Sequence, residues 1–289
     1  MSDLTSSVLP ATASAAGAAR VDQEFSFAPA DFEKVRELIY QRAGISLNPG
    51  KQAMVYSRLS RRLRETSHKS FAAYLQWLQS ASATDNEWQE FVNCLTTNLT
   101  AFFREDHHFT ALSADLRTLG KGPHRIWCSA ASTGEEPYSI AMVVAETLGL
   151  NSGTKIMASD IDTKVLATAR RGVYDAEARG LSTERQQRHF MRGRGNNAGF
   201  IRVKPELASM IEYRPFNLMS KDWSLGDPFD LIFCRNVMIY FDAATQRRVL
   251  QQMHRVLRPG GLLYVGHSEN FTDSRDLFRL RGKTIYERA

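Results

Sequence analysis

The hydrophobic pattern of this chain changes period at Arg125, and that change leaves few architectures open. Before it, apolar residues recur only at helical spacing. Phe32, Val35, Leu38 and Ile39 make one stripe, and Met54, Val55, Leu59 and Leu63 a second. Phe71, Tyr74, Leu75 and Leu78 make a third, and Trp88, Phe91, Val92 and Leu95 a fourth. Pro29 suits a first turn, Gly44 a stop, Ser70 a cap, and Thr84 with Glu87 a capping box. After Arg125, short apolar strands alternate with helices. Strands are expected at 125–128, 155–159, 229–234 and 261–265, and helices at 135–148, 163–170 and 245–257. Such alternation predicts a parallel sheet built of right-handed crossovers.

Two stretches interrupt the alternation. About 45 residues separate Gly172 from the next core strand. Phe200 to Val203 and Met210 to Tyr213 look there like short antiparallel strands, so a small β insertion is expected over about 173–215. The chain then closes on a hairpin turning at Arg281-Gly282-Lys283. The organisation that follows is a helical N-terminal domain at 24–95, a linker at 96–104 and an α/β domain at 105–289. Val8 to Ala19 is rich in Ala, Ser and Thr and preceded by no charge but Asp3. That is no signal peptide, and residues 1–23 are expected to form a disordered tail.

Composition adds exclusions. With 43% hydrophobic residues, 289 residues can bury a core, and no run approaches the roughly 20 apolar residues of a membrane span. Cys94, Cys128 and Cys234 lie far apart, without a Cys-x-x-Cys, and read as core thiols of a reducing compartment, hence a cytoplasmic protein. The formal charge is +6, concentrated in two places. Lys51 to Lys69 carries six cations against Glu65 alone, and Arg185 to Lys204 carries six against none. An acidic partner would fit either patch, nucleic acid and acidic protein alike.

Four segments can carry chemistry. The first strand runs into Ser129 to Ser139, small residues around a single Gly134. This is either a ligand loop or an ordinary strand-to-helix turn. It is neither a dinucleotide loop nor a P-loop. The second strand ends in Ser159-Asp160-Ile161-Asp162. One acid can accept from ribose hydroxyls while the other caps the next helix. The third strand delivers Arg235 and Asn236, which reach a ligand across the strand tips or stand exposed in a loop. Asn93 to Glu105 mixes Thr96, Thr97, Asn98 and Thr100 with Phe102, Phe103 and Arg104, either over a cleft or as structure only. Arg258-Pro-Gly-Gly261 before the fourth strand, with the acid after the second, favours a class I methyltransferase sheet and S-adenosylmethionine over NAD. His107-His108 reads as surface histidines, and no metal site is expected.

These four segments and a fifth, further along the chain, line up in order with one family. Leu95 to Glu105, Ala130 to Ile140, Ala158 to Asp162, Phe233 to Phe241 and Gly266-His-Ser-Glu-Asn270 resemble CheR, the bacterial chemotaxis receptor glutamate methyltransferases. The resemblance covers roughly 25–289 and includes Tyr40-Gln-Arg-Ala-Gly-Ile45. It implies a Rossmann-like class I methyltransferase fold with a small antiparallel β insertion, behind an all-helical N-terminal domain. It implies S-adenosylmethionine, with S-adenosylhomocysteine as product, at Asn98, Thr100, Arg104, Glu135, Asp160, Asn217, Leu218, Arg235 and Asn236. Glu135 would face the methionyl amino group, and Asn217 and Leu218 the adenine. Arg104 and Tyr240 would sit by the transferring methyl. The partners implied are glutamate-rich helices of membrane-bound receptors, met by Arg58, Arg61, Arg62 and Arg64 unless these form a solvated face. A receptor's C-terminal peptide would meet the loop Arg192, Gly193, Arg194, Gly195.

Two rival classes stand beside this reading. A nucleic-acid methyltransferase would suit the charge, but the Asn-Pro-Pro-Tyr type of loop is missing, with Arg235-Asn236-Val237-Met238 in its place. A non-catalytic signalling scaffold would have no use for Arg104 together with Glu135 to Tyr138.

Overall fold

The computed structural model describes residues 24–289 apart from 81 and 83, so the tail expected over 1–23 lies outside the described residues. Four helices come first: α1 (Pro29–Ala43), α2 (Gln52–Glu65), α3 (Phe71–Gln79) and α4 (Asp85–Leu95). The four apolar stripes meet in one core around Phe32, Val55, Leu59, Phe71, Tyr74 and Phe91. Gly44 ends α1 in a left-handed conformation, its N–H returning to the Tyr40 carbonyl at 2.8 Å. Ser70 and Thr84 cap α3 and α4 through their hydroxyls. Only half of the capping box forms. The Glu87 carboxylate turns inward, where it pairs with Arg62 and accepts the Tyr74 hydroxyl at 2.7 Å. A buried guanidinium needs that carboxylate more than an exposed N–H does, because an unpaired buried charge costs several kcal/mol.

The rest of the chain is α/β. In order come α5 (His107–Leu119), β1 (Arg125–Cys128), α6 (Glu135–Leu148), β2 (Lys155–Asp160), α7 (Thr163–Arg171) and β3 (Val173–Asp175). Then follow α8 (Thr183–His189), β4 (Phe190–Arg192), β5 (Phe200–Val203), α9 (Pro205–Ala208), β6 (Ile211–Pro215) and β7 (Phe229–Cys234). The chain ends with α10 (Ala243–Val256), β8 (Leu257–Val265), β9 (Phe278–Gly282) and β10 (Ile285–Arg288). Seven strands form one sheet in the order β6-β2-β1-β7-β8-β10-β9. The first five run parallel, and the β9–β10 hairpin adds antiparallel to β8. A separate antiparallel sheet, β3-β5-β4, is the β insertion.

One strand falls elsewhere than its sequence suggested. The stretch from Met210 to Tyr213 was expected to be an antiparallel part of the insertion. It instead enters β6, which runs parallel to β2 in the main sheet, with Ile156 opposite Ile211 and Asp160 opposite Pro215. The outer edge of β2 would otherwise leave its ladder groups unpaired, and β6 covers it. Histidine 108 also departs from expectation. It is fully buried on α5, with Nε2 3.0 Å from the Lys283 carbonyl and burial lowering its pKa to about 4.

The topology explains where a ligand can sit. From β1 the chain moves outward to β2 and β6, then returns to β7 on the other side of β1. That reversal opens a crevice at the carboxyl ends of the central strands. Ile126, Cys128, Leu231 and Phe233 pack on one face of the sheet, and Trp127, Ile232, Leu263 and Val265 on the other. No helix among the described residues is long and apolar enough to cross a membrane.

Candidate active site

A cavity of about 400 Å³ opens at this crevice. Its walls come from the tips of β1, β2 and β7, from the linker, and from the turn between α1 and α2, where Ile45, Leu47 and Lys51 reach it. Nine expected site residues line it: Asn98, Thr100, Arg104, Asp160, Asn217, Leu218, Arg235, Asn236 and Tyr240. Glu135 does not. Its carboxylate accepts the Thr133 hydroxyl at 2.6 Å, and Glu136 takes the place at the wall. Neighbours on a helix point about 100° apart, so only one of the two can face the cavity.

At the tip of β2 the two acids divide their work. Asp160 is 8% exposed and accepts the N–H groups of Ser132 at 2.8 Å and Asp162 at 2.9 Å. Burial pushes its carboxyl up to about 6, against those two backbone donors. Asp162 caps α7 through the N–H of Lys164 at 2.9 Å. Its other oxygen accepts the Thr96 hydroxyl and the Asn98 amide, both at 2.8 Å. The polar character of the linker is thereby explained in part: Thr96 and Asn98 fasten it to the tip of β2. Phe102 and Phe103 are buried beneath, and the Phe103 N–H donates to Ser139 Oγ at 3.0 Å. Arg104 keeps its side chain half exposed at the cavity, with one guanidinium N–H on the Leu99 carbonyl at 2.9 Å.

The tip of β7 carries the densest polar network. Arg235 is 4% exposed, so its charge must be met inside. Glu136 meets it at 2.6 Å and Glu105 at 3.3 Å, and the Arg104 carbonyl accepts a further N–H at 2.5 Å. Arg235 therefore braces the cavity from behind as well as bordering it. Burial pushes the Glu105 carboxyl up, but His267, Arg235 and Asn236 outweigh that and bring it down to about 2. Asn236 follows at a positive φ of 58°, and Tyr240 ends the short helix after it. The Tyr240 carbonyl accepts the Ser46 N–H at 2.8 Å, and Asn217 donates to the Arg42 carbonyl at 2.6 Å. These two bonds lock the helical domain over the crevice.

The basic residues fare differently from one another. Arg62 was expected on a docking face, but it is 9% exposed and committed to Glu87 and Glu65. Arg61 pairs with Glu65 at 2.7 Å and Arg64 with Glu24 at 2.7 Å on the surface. Arg58 donates to the Thr96 carbonyl at 2.7 Å. Arg192 ends the edge strand β4 and Gly193, Arg194 and Gly195 follow it, outside the cavity lining. Glu105, Glu136 and Glu269 complete the site without having been assigned roles from the sequence. Their signal was present only as acids inside the segments that resemble CheR. Glu105, His107 and His108 bring possible metal-ligand atoms within 4.8 Å of one another, but Arg235 already supplies the positive charge there.

The donor set fits S-adenosylmethionine. The volume lies in the range of small-molecule sites. Asp160 offers a buried acceptor for ribose hydroxyls, and Ile161, Phe216, Leu218 and Val237 offer apolar walls for a base. Matches to known proteins agree. Residues 30–96 match the family model described as CheR methyltransferase, all-alpha domain. Residues 98–286 match CheR methyltransferase, SAM binding domain. The chemotaxis protein methyltransferase of Escherichia coli (strain K12) is 50% identical over 92% of this chain and 93% of its own. Chemotaxis protein methyltransferase 2 of Pseudomonas aeruginosa is 52% identical over 93% of this chain and 96% of its own. A probable chemotaxis protein methyltransferase of Rhizobium etli is 38% identical over 86% and 96%. With a helical domain locked over a class I sheet and a cavity suited to S-adenosylmethionine, this chain belongs to the CheR methyltransferase family.

Proposed function

We propose that the chain transfers methyl groups from S-adenosylmethionine to glutamate side chains of chemotaxis receptors, forming methyl esters in the cytoplasm. The observation that carries this reading is Arg104. It is a cation at the cavity wall with no ion pair among the described residues, and most of its donors are uncommitted. Such a group can take an incoming carboxylate in bidentate fashion. When bound, S-adenosylmethionine supplies an electrophilic methyl group. A glutamate carboxyl, with a pKa of about 4.3, is already ionised at neutral pH and needs no general base. What remains for the protein is alignment and exclusion of water. Arg104 orients the acceptor oxygen, and Tyr240 borders the same space. Asp160 holds the ribose, and Asn217 and Leu218 flank the adenine.

Docking would use what stays exposed. Arg61 and Arg64 can exchange their surface partners for receptor acids, because exposed pairs are worth only about 0–1 kcal/mol. Arg62 is left out, since it is buried. β4 is an edge strand, so an extended receptor peptide can add to it beside Arg192, Gly193, Arg194 and Gly195.

The test is incubation with labelled S-adenosylmethionine and receptor-bearing membranes, followed by alkali. Methyl esters release labelled methanol, whereas methylated bases do not. Arg104→Ala should cut transfer about a hundredfold while the fold survives. Near-normal turnover of that variant at saturating acceptor would remove Arg104 from the reaction. Label that resists alkali would remove the carboxylate.

A further inference from the structure

Glu269 lies outside the cavity lining and is 3% exposed. Its carboxylate accepts three backbone N–H groups: Asn236 at 3.0 Å, Met238 at 2.8 Å and Gly266 at 2.6 Å. Three charge-assisted bonds to one carboxylate are far more than a surface acid makes. They join the tip of β7 to the tip of β8. Glu105 grips the same two tips from just after the linker. It accepts the Asn236 side-chain amide at 3.3 Å and the His267 N–H at 3.1 Å. Between the two carboxylates Asn236 holds a left-handed backbone, which asparagine tolerates better than other residues with a side chain. Gly266 allows this closeness, because a Cβ there would overlap the Asn236 amide.

We propose that Glu269 is a positioning residue for methyl transfer, its carboxylate setting the Asn236–Tyr240 wall in the shape that binds the cofactor. Glu105 is the second jaw of the same clasp. Leu263 and Val265, earlier in β8, are buried in the core under the sheet, whereas the groups that the clasp joins belong to the strand tips. The inference rests on the proposal that Asn236 borders bound S-adenosylmethionine. Glutamine at 269 offers one acceptor oxygen and turns an NH₂ toward backbone donors, so at least one of the three bonds is lost.

The experiment measures S-adenosylhomocysteine affinity by calorimetry, acceptor KM and thermal midpoint in Glu269→Gln, Glu269→Asp and Asn236→Ala, with hydrogen exchange on the wild type. Glu269→Gln should weaken the product complex at least tenfold and leave acceptor KM within twofold. Glu269→Asp, which keeps two acceptor oxygens, should fall between it and the wild type. A purely structural role would lower the midpoint and leave affinity of the folded fraction unchanged, and that result overturns the proposal. If Asn236→Ala binds normally, the assignment of the wall fails first, and the clasp with it. If Asn236→Ala is weak while both Glu269 variants bind within twofold of wild type, the clasp alone fails. Should the Glu269 variants not fold, the wild type decides: the amides of Asn236, Met238 and Gly266 must exchange as slowly as those of β7. Exchange at loop rates overturns the idea.

Discussion

Asp160 sits at the tip of β2 with a carboxyl raised by burial to about 6, from an ordinary 3.8. In the ribose-binding role proposed for it, the ionised form is the better acceptor for two hydroxyls, because protonation turns one oxygen into a donor. Affinity for S-adenosylhomocysteine should therefore hold steady above pH 7 and fall by up to about tenfold per unit below pH 6. Asp160→Asn should bind weakly at every pH and lack the inflection; an inflection surviving in that variant would belong to Glu269 or Glu135, whose carboxyls burial also raises. For stability the sign is opposite. Between pH 3.8 and 6 the folded state binds the extra proton, so this group's contribution to stability grows as pH falls through that window. Arg62 gives a second prediction. Arg62→Ala strands Glu87 in the helical core, where it is 4% exposed, and should cost about 3–5 kcal/mol in a denaturant titration. Arg61→Ala, one residue earlier but exposed, should cost about 1 kcal/mol or less. The difference between those two arginines was not legible in the sequence. Arg58, Arg61, Arg62 and Arg64 fall within roughly 160° of one helix, and nothing in their spacing says which of them meets Glu87. Asp160 and Asn236 were legible because strand tips announce themselves: an apolar run that ends abruptly in polar residues has one direction to point.

Elements were easier to read than their contacts. The helices and central strands follow from period alone, because each has a buried face of fixed repeat. β6 was misplaced because five residues at a sheet edge carry no period that separates parallel from antiparallel pairing, and the partner decides. Gly44 shows the same limit. As a stop signal for α1 it was plain, with φ of 72°. Its second task, giving room to the Met219 side chain across the domain boundary, is invisible without the fold, since a Cβ there would overlap the Met219 sulfur. Gly44→Ala should therefore cost about 1–2 kcal/mol for the left-handed conformation, with the flexible, half-buried Met219 side chain shifting to admit the new methyl. The expected outcome is a thermal midpoint lowered by several degrees together with weaker product binding, since Ser46 and Asn217 beside it tie the domains at the cavity. If binding is unchanged while the midpoint drops, Gly44 acts on α1 alone.

At the scale of the molecule, the two domains share one site. The cavity takes walls from the α1–α2 turn as well as from the strand tips, and Gln89, Asn93 and Thr96 of the helical side bond to Ile161, Thr163 and Asp162 across the boundary. A ligand there contacts both domains, so its binding energy must count toward both. At a hundred times its dissociation constant, S-adenosylhomocysteine should stabilise the folded chain by about 2.7 kcal/mol. Hydrogen exchange will show where that stabilisation falls. Amides of Ile45 to Lys51 and of the linker should slow together with those after β2 and β7, in a single cooperative unit. A ligand that slowed only the α/β domain would leave the helical domain as an attached receptor-binding module. Slowing of both would instead make the helical domain a wall of the reaction chamber, so that the acceptor docking proposed for α2 and closure over the cofactor would draw on the same set of bonds.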